Sequence, residues 1–153
     1  MDPFTSYELP PTSASQTTPS TNTLSSWSCC RGAMSDSRIS HLAVLACLTD
    51  AWFLNSIPRM NPTAMGQHGE HVVFMATLNN TVWFHDPNVR LDTWLFMERG
   101  TSWAVSDRCL MEQKIWNQDG KLVATCVQEG ALRLKKDQHK NSVGEQNSTG
   151  SKL

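Results

Sequence analysis

Apolar residues in the middle of the chain recur first with the spacing of a helix. From Ile39 to Thr49 they follow one another at intervals of three and four, behind Ser35-Asp36-Ser37, which supplies N-cap candidates. The residues between these positions are apolar as well. We therefore predict a helix that is surrounded by protein rather than laid on a surface.

After this helix the pattern changes to that of strands. Pro58 and Pro62 predict a loop through residues 59–69. Extended segments follow, and Gln118-Asp119-Gly120 predicts a hairpin turn because Asp-Gly tolerates positive φ. The predicted strands cover residues 71–84, 94–103, 106–117 and 121–134. One buried helix and a mainly antiparallel sheet indicate an α+β layered fold.

Composition separates this core from the two ends of the chain. Residues 1–26 contain twelve Ser or Thr and four Pro with no Lys or Arg, which predicts a disordered leader. Residues 135–153 are also polar and predict a flexible tail. The folded domain is therefore expected to cover residues 27–134, which hold all six tryptophans.

Charge and cysteine content disfavour several classes of protein. The 13 Lys and Arg nearly balance the 14 Asp and Glu, so a basic nucleic-acid binder is not expected. The longest apolar run, Leu42 to Leu48, is too short to span a bilayer, and no secretion signal opens the sequence. Five cysteines without C-x-x-C spacing predict neither a disulfide framework nor a metal site, and they fit a reducing compartment.

Three polar residues interrupt the apolar segments. Asp50 ends the predicted helix, where a carboxylate gains nothing from the helix dipole. Burial there would suit it to act as a general base, whereas exposure would make it an ordinary helix-end residue. Thr77 lies in the first long strand, where Thr is common, and Gln128 interrupts the last strand. Taken singly, none of the three identifies a site.

The surroundings of these residues, however, follow a family pattern. The segments are Leu48-Thr49-Asp50-Ala51-Trp52-Phe53-Leu54, Ala76-Thr77-Leu78 with Trp83-Phe84-His85, and Asp119-Gly120-Lys121-Leu122-Val123-Ala124 leading into Gln128-Glu129-Gly130. In this order, over residues 27–134, the chain resembles the C-terminal half of type II acyl-CoA thioesterases. The resemblance implies a hot-dog fold, in which an antiparallel sheet wraps a central helix. It also implies that Asp50, Thr77 and Gln128 are catalytic.

The implied reaction is the hydrolysis of a fatty acyl-CoA to a fatty acid and CoA. It needs a positioned water, a group that accepts the proton of that water, and donors for the developing oxyanion. Asp50 would accept the proton, while Thr77 and Gln128 would orient the water. Covalent attack by Thr77 is disfavoured because no motif places a His beside it. No metal or redox cofactor is implied, since CoA is part of the substrate.

The sequence departs from the family pattern in three places. The related enzymes carry another hot-dog domain before this one, and here the resemblance begins only near Trp27. Asn79-Asn80 replaces an Asp-His pair, and Ala104-Val105-Ser106-Asp107-Arg108 replaces a glycine-rich turn. Because an unpaired sheet edge invites association, we expect a homodimer that imitates the double hot-dog, or an inactive product.

Two other functions stay open at this point. One is a non-catalytic protein that binds acyl-CoA or a partner. The other is the hydration of an enoyl-CoA, which Asn79-Asn80 disfavours because a dehydratase normally uses an Asp/His pair.

The last three residues suggest a location. Ser151, Lys152 and Leu153 match the peroxisomal import tripeptide, which a receptor reads. The polar residues 141–150 would keep it exposed. We therefore expect the peroxisomal matrix, where acyl-CoA esters are hydrolysed and oxidised, with the import receptor as a partner. This expectation agrees with the family resemblance, which rests on other residues.

Overall fold

A single antiparallel sheet with two helices on one face forms the part of the chain that the structure describes. The computed structural model describes residues 2–10, 22–61, 65 and 71–135. The elements are β1 (Phe4–Glu8), β2 (Thr23–Cys30), α1 (Arg38–Asp50), α2 (Ser56–Met60), β3 (Val72–Phe84), β4 (Leu95–Val105), β5 (Arg108–Trp116) and β6 (Leu122–Leu134). The strand order is β1-β2-β4-β5-β6-β3, and every neighbouring pair is antiparallel. The predicted α+β class is confirmed.

The four predicted strands are present with small changes at their ends. β3 to β6 correspond to them. Alternate side chains of β4, β5 and β6 are buried on the helix-covered face, whereas β3 is largely exposed. The predicted Asp-Gly turn joins β5 to β6, and Gly120 has a φ of 78°. The side-chain oxygen of Asn117 accepts the N–H groups of Asp119 and Lys121 at 3.0 and 2.9 Å, which closes the turn.

The turn between β4 and β5 also requires positive φ values, but it contains no glycine. Ser106 and Asp107 have φ values of 52° and 62° between the paired residues Val105 and Arg108. A two-residue hairpin with positive φ at both central positions favours Asn-Gly. Ser and Asp therefore hold a strained conformation here, where the family pattern predicts glycine.

The expectation that residues 1–26 form a disordered leader is wrong for Phe4–Glu8 and for the start of β2. Both segments are strands, with Phe4 and Leu24 buried. Ser26 and Ser28 also point inward, so serine-rich composition conceals a strand whose alternate positions are buried. Residues 11–21 of the predicted leader and 136–153 of the predicted tail lie outside the described residues.

The predicted helix has the expected extent but not the expected surroundings. Within this chain α1 buries one face, formed by His41, Leu45, Leu48 and Thr49. The opposite side is open: Ile39 is 79% exposed, and Ala43, Ala46 and Cys47 are exposed as well. The prediction that protein surrounds the helix is therefore wrong for a single copy of the chain. An apolar stripe along α1 remains uncovered.

The loop predicted after this helix begins later than expected. Pro58 lies inside α2, where the first turn of a helix tolerates proline because its N–H has no partner there. Of the remaining predicted loop, residues 62–64 and 66–70 are outside the described residues. Neither α1 nor α2 is long and apolar enough to cross a membrane.

The core fills the space between the sheet and the segment that contains the two helices. One apolar cluster joins α1, through Leu45 and Leu48, to inward residues of β4, β5 and β6. A second cluster packs Phe53, Leu54 and Ile57 on the neighbouring part of the same face. Asp50 lies on the chain between these two clusters, so packing on both sides fixes its place over the sheet.

Candidate active site

The structure brings together two of the three residues that the sequence singles out. Asp50 is the last residue of α1, and Gln128 occupies an inward position of β6. The Gln128 side-chain Nε2–H donates to Asp50 Oδ1 at 2.6 Å across 78 positions of sequence. Gln128 is 0% exposed, whereas Asp50 is exposed in the single chain. The burial that would suit Asp50 to general-base work is therefore not supplied by this chain alone.

Thr77 lies close to this pair along the sheet but does not bond to it. β3 is an edge strand, and Thr77 is in register with Gly130, two residues along β6 from Gln128. Register alternation therefore puts Thr77 on the face that Gln128 occupies. Its side chain is exposed, and no side-chain hydrogen bond joins it to Asp50 or Gln128.

A register shift between Thr77 and Asn79 distorts β3 beside this site. Leu78 is the extra residue, and bulges of this kind re-aim neighbouring side chains. Beyond the shift, Asn80 is in register with Gln128, and its Oδ1 accepts the Cys126 thiol at 2.9 Å. Asn80 thus lies at the edge of the site, and the oxygen of its side-chain amide is already hydrogen-bonded to the Cys126 thiol.

Gly130 permits a close approach between β6 and the segment that follows α1. A Cβ built on Gly130 would lie 2.5 Å from Leu54 Cδ2 and 3.2 Å from Cys109 Sγ. Leu54 is buried, four residues after Asp50. The absence of a side chain at 130 therefore lets the end of α1 sit close to the strand that carries Gln128.

Gly130→Ala is expected to destabilise the fold by about 1–3 kcal/mol, because Leu54 must leave its place in a packed core. Gly100→Ala is the matched control, since a Cβ there meets only Thr23 Cγ2 at an ordinary 3.9 Å. Urea unfolding of both variants gives the comparison. Equal stabilities would contradict the close approach.

The backbone turns sharply directly after the site. Trp52 has a φ of 60°, which is a strained conformation for a bulky side chain, and its ring is 58% exposed. The Ser56 hydroxyl donates to the Trp52 carbonyl at 3.2 Å and holds this turn. Strain of this kind is commonly stored at functional sites, and here it lies two residues after Asp50.

Two further polar residues lie on the helix-covered face of the sheet, and sequence reasoning missed both. Arg99 is 6% exposed, and its Nε–H donates to Gln113 Oε1 at 2.8 Å. Its Nη1 lies 3.4 Å from the Ser56 hydroxyl. Burial lowers the pKa of Arg99 to about 10, so the guanidinium is still charged at neutral pH.

A signal for these two residues was present in the alternation of the strands. Arg99 follows Leu95 and Met97 at the inward positions of β4, and Gln113 lies between Met111 and Ile115 in β5. A polar residue at an inward position must find partners inside the protein. The alternation therefore indicates that both residues are buried polar groups with partners in the core.

Cys126 is buried at an inward position of β6, two residues before Gln128. Burial raises the pKa of its thiol to about 12, the Asp50 carboxylate adds to this increase, and Arg99 opposes it. The thiol is therefore neutral at physiological pH, which is unsuited to a nucleophile.

An open cavity of about 940 Å³ lies beyond the site along β6. Its apolar lining includes Trp103, Val105, Leu132 and Leu134. Leu132 is the next inward position of β6 after Gly130. The cavity therefore continues along the strand that positions Gln128.

Solved structures share this architecture. An acyl-CoA thioesterase II, TesB2, from Mycobacterium marinum superposes with a TM-score of 0.72 at 26% identity, covering 88% of this chain and 50% of that one. A protein with the hot-dog fold from Alicyclobacillus acidocaldarius gives a TM-score of 0.59 at 17% identity, covering 88% of this chain and 47% of that one. The predicted hot-dog fold is confirmed.

Sequence comparison agrees with the structural comparison. Residues 1–132 match the family model described as the acyl-CoA thioesterase C-terminal domain. Acyl-coenzyme A thioesterase 8 of Mus musculus is 38% identical over 112 residues, which cover 71% of this chain and 32% of that protein. The chain thus spans about a third of the length of this curated relative. The match from residue 1 and the resemblance found in the motifs lead to one conclusion: the chain belongs to the acyl-CoA thioesterase C-terminal domain family.

Proposed function

We propose that this protein hydrolyses fatty acyl-CoA to a free fatty acid and CoA through a water molecule activated at Asp50. The observation that carries the proposal is the 2.6 Å hydrogen bond from Gln128 Nε2 to Asp50 Oδ1. This bond fixes one carboxylate oxygen and leaves the other for a water. The water attacks the thioester carbonyl while Asp50 accepts its proton, and the C–S bond then breaks as the proton passes to the sulfur of CoA.

Gln128 and Thr77 serve this reaction by orienting the water. The Gln128 amide has two N–H groups, of which one is used by Asp50. The Thr77 hydroxyl, on the same face of the neighbouring strand, can both donate and accept. The proposed reaction uses no cofactor besides the CoA of the substrate.

The 940 Å³ cavity supports a fatty acyl group as the substrate. Its lining is largely apolar, and it extends from the inward face of β6 two residues beyond Gly130. A thioester carbonyl held near Gln128 would let the acyl chain follow β6 into this cavity. Apolar lining of this kind suits an alkyl chain because burial removes its surface from water.

We also propose that two copies of the chain form the active unit. The edge strand β3 is 13 residues long and exposes Val73, Phe74, Leu78 and Trp83. A long apolar edge of this type readily pairs with another strand. A second copy at β3 would lie beside Thr77 and could cover the exposed stripe of α1, which would bury Asp50.

The proposal is tested by measuring mass and activity on the same material. Size-exclusion chromatography with light scattering gives the oligomeric state, and CoA release from medium- and long-chain acyl-CoA is then measured on the eluted peak. A dimer that releases CoA is the expected result. Binding of acyl-CoA without release would favour the non-catalytic alternative, and 3-hydroxyacyl product from an enoyl-CoA would favour the hydratase.

Gln128→Ala is expected to lower kcat by roughly 10- to 1000-fold, because a group that positions the water and Asp50 is lost. Gln118→Ala, in the exposed β5–β6 turn, is the control and should retain wild-type kcat. Steady-state kinetics on both variants measures kcat and KM for comparison with the wild type. An effect on KM alone would contradict the orienting role.

We propose a peroxisomal location on the basis of Ser151-Lys152-Leu153, which lie outside the described residues. With a fluorescent protein fused before residue 1, the full chain is expected in peroxisomes. Deletion of Leu153 is expected to leave the fusion in the cytosol, because the receptor reads the terminal tripeptide. Continued import after the deletion would show that the protein arrives by another signal.

A further inference from the structure

A row of polar side chains crosses the core from β4 to α1, and its direction is fixed at both ends. Arg99 can only donate, so the atom of Gln113 that faces it at 2.8 Å is the amide oxygen. An ionised Asp50 can only accept, so the atom of Gln128 that faces it at 2.6 Å is the amide nitrogen. These two contacts settle the orientation of both amides.

The two remaining amide atoms are complementary. Gln113 Nε2 is a donor and Gln128 Oε1 is an acceptor, and both are buried without a hydrogen-bond partner among the described residues. Gln113 is in register with Cys126, two positions from Gln128, so the two glutamines are diagonal neighbours on one face. Long side chains at such positions come within reach of each other.

We propose that Gln113 Nε2–H and Gln128 Oε1, which are not bonded to each other in this structure, become joined by a hydrogen bond from the nitrogen to the oxygen when the two side chains adjust, and that Arg99 and Gln113 are positioning residues for Asp50. The result is a chain of hydrogen bonds in which Arg99, Gln113 and Gln128 each donate toward the Asp50 carboxylate, which accepts the last of them. This inference goes beyond the proposed hydrolysis, on which its kinetic consequence rests.

The arrangement explains why the core keeps a buried guanidinium. Among the described residues no carboxylate lies within ion-pair distance of Arg99, and a buried charge without such a partner is costly. Linked through two amides, its positive charge polarises the Gln128 N–H and strengthens the bond to Asp50. The chain of hydrogen bonds also prevents the Gln128 amide group from rotating so that its oxygen faces the Asp50 carboxylate.

Gln113→Glu tests the central link and preserves size. Glutamate still accepts from Arg99 but, when ionised, cannot donate to Gln128. We expect kcat to fall about 10- to 100-fold with KM within about twofold, and Gln113→Met, which also removes the donor, to give a similar fall in kcat. Gln118→Glu places the same charge in the exposed turn and should retain wild-type kcat.

A double-mutant cycle distinguishes positioning from a general structural effect. If Gln113 acts through Gln128, then Gln113→Glu has little further effect on kcat once Gln128→Ala is present. Full additivity of the two changes, or unchanged kcat in a folded Gln113→Glu, would overturn the inference.

A second readout does not require activity. In ¹⁵N spectra of the intact chain, the side-chain amide signals of Gln128 should move in Gln113→Glu and stay in place in Gln118→Glu. Unchanged Gln128 signals in Gln113→Glu would overturn the link. An inactive wild type in which these signals move would refute the proposed hydrolysis while supporting the hydrogen-bond chain.

Discussion

Asp50→Asn is expected to abolish the release of CoA, with kcat lowered by roughly 10²- to 10⁴-fold and the fold retained. The side-chain oxygen of asparagine still accepts from Gln128 Nε2, so the contact that fixes position 50 persists. An amide cannot accept the proton of the attacking water, however. Kinetics with saturating acyl-CoA measure the loss, and thermal unfolding shows that the variant is folded.

The control for this prediction makes the same chemical change elsewhere. Asp119→Asn lies in the exposed Asp-Gly turn, where asparagine is equally compatible with the hairpin. It should leave kcat unchanged. Substantial activity in Asp50→Asn would mean that another group accepts the proton, and the role given to Asp50 would be wrong.

Leu78→Lys is expected to weaken the proposed dimer by about 10²- to 10⁴-fold in Kd, since each copy loses the burial of one leucine and gains a charge at the edge. Leu78 is 51% exposed on β3, beside Thr77. Activity should fall with the dimer and recover at high protein concentration. Analytical ultracentrifugation over a concentration series, with activity measured in parallel, makes the test.

Leu9→Lys is the matched control, because Leu9 follows β1 at the opposite edge of the sheet. It should leave both mass and activity unchanged. If Leu9→Lys dissociates the dimer and Leu78→Lys does not, then the copies meet at the β1 edge. A wild type that stays monomeric at all concentrations contradicts pairing at either edge.

The helix and four of the six strands could be predicted from the sequence because their apolar periodicity is strong. α1 ends at Asp50 as the spacing indicates, and β3 to β6 differ from the predicted strands only near their ends. β1 and β2 are not predicted, because the serine- and threonine-rich composition of residues 1–26 indicates disorder more strongly than its alternation indicates strands. Ser26 and Ser28 occupy inward positions next to Leu24, and a serine-rich segment does not reveal this.

The candidate site could be predicted only as far as its motifs reach. The resemblance marked Asp50 and Gln128, which the structure joins, but the exposure of Asp50 in a single chain depends on how α1 lies over the sheet and could not be inferred from the motif. Arg99 and Gln113 lie in β4 and β5, outside every motif. Their proximity depends on strand register, which only the fold determines.

The two edges of the sheet are unequal, and this limits how many copies can assemble. β1 is five residues long and exposes one large apolar side chain, Tyr7. β3 is a 13-residue strand that exposes several, among them Phe74, Leu78 and Trp83. A chain with one long apolar sheet edge pairs with a second copy through that same edge. Such pairing has two-fold symmetry and leaves neither apolar edge exposed. If two copies pair through β3 as proposed, association therefore closes at two chains and does not propagate into a fibre.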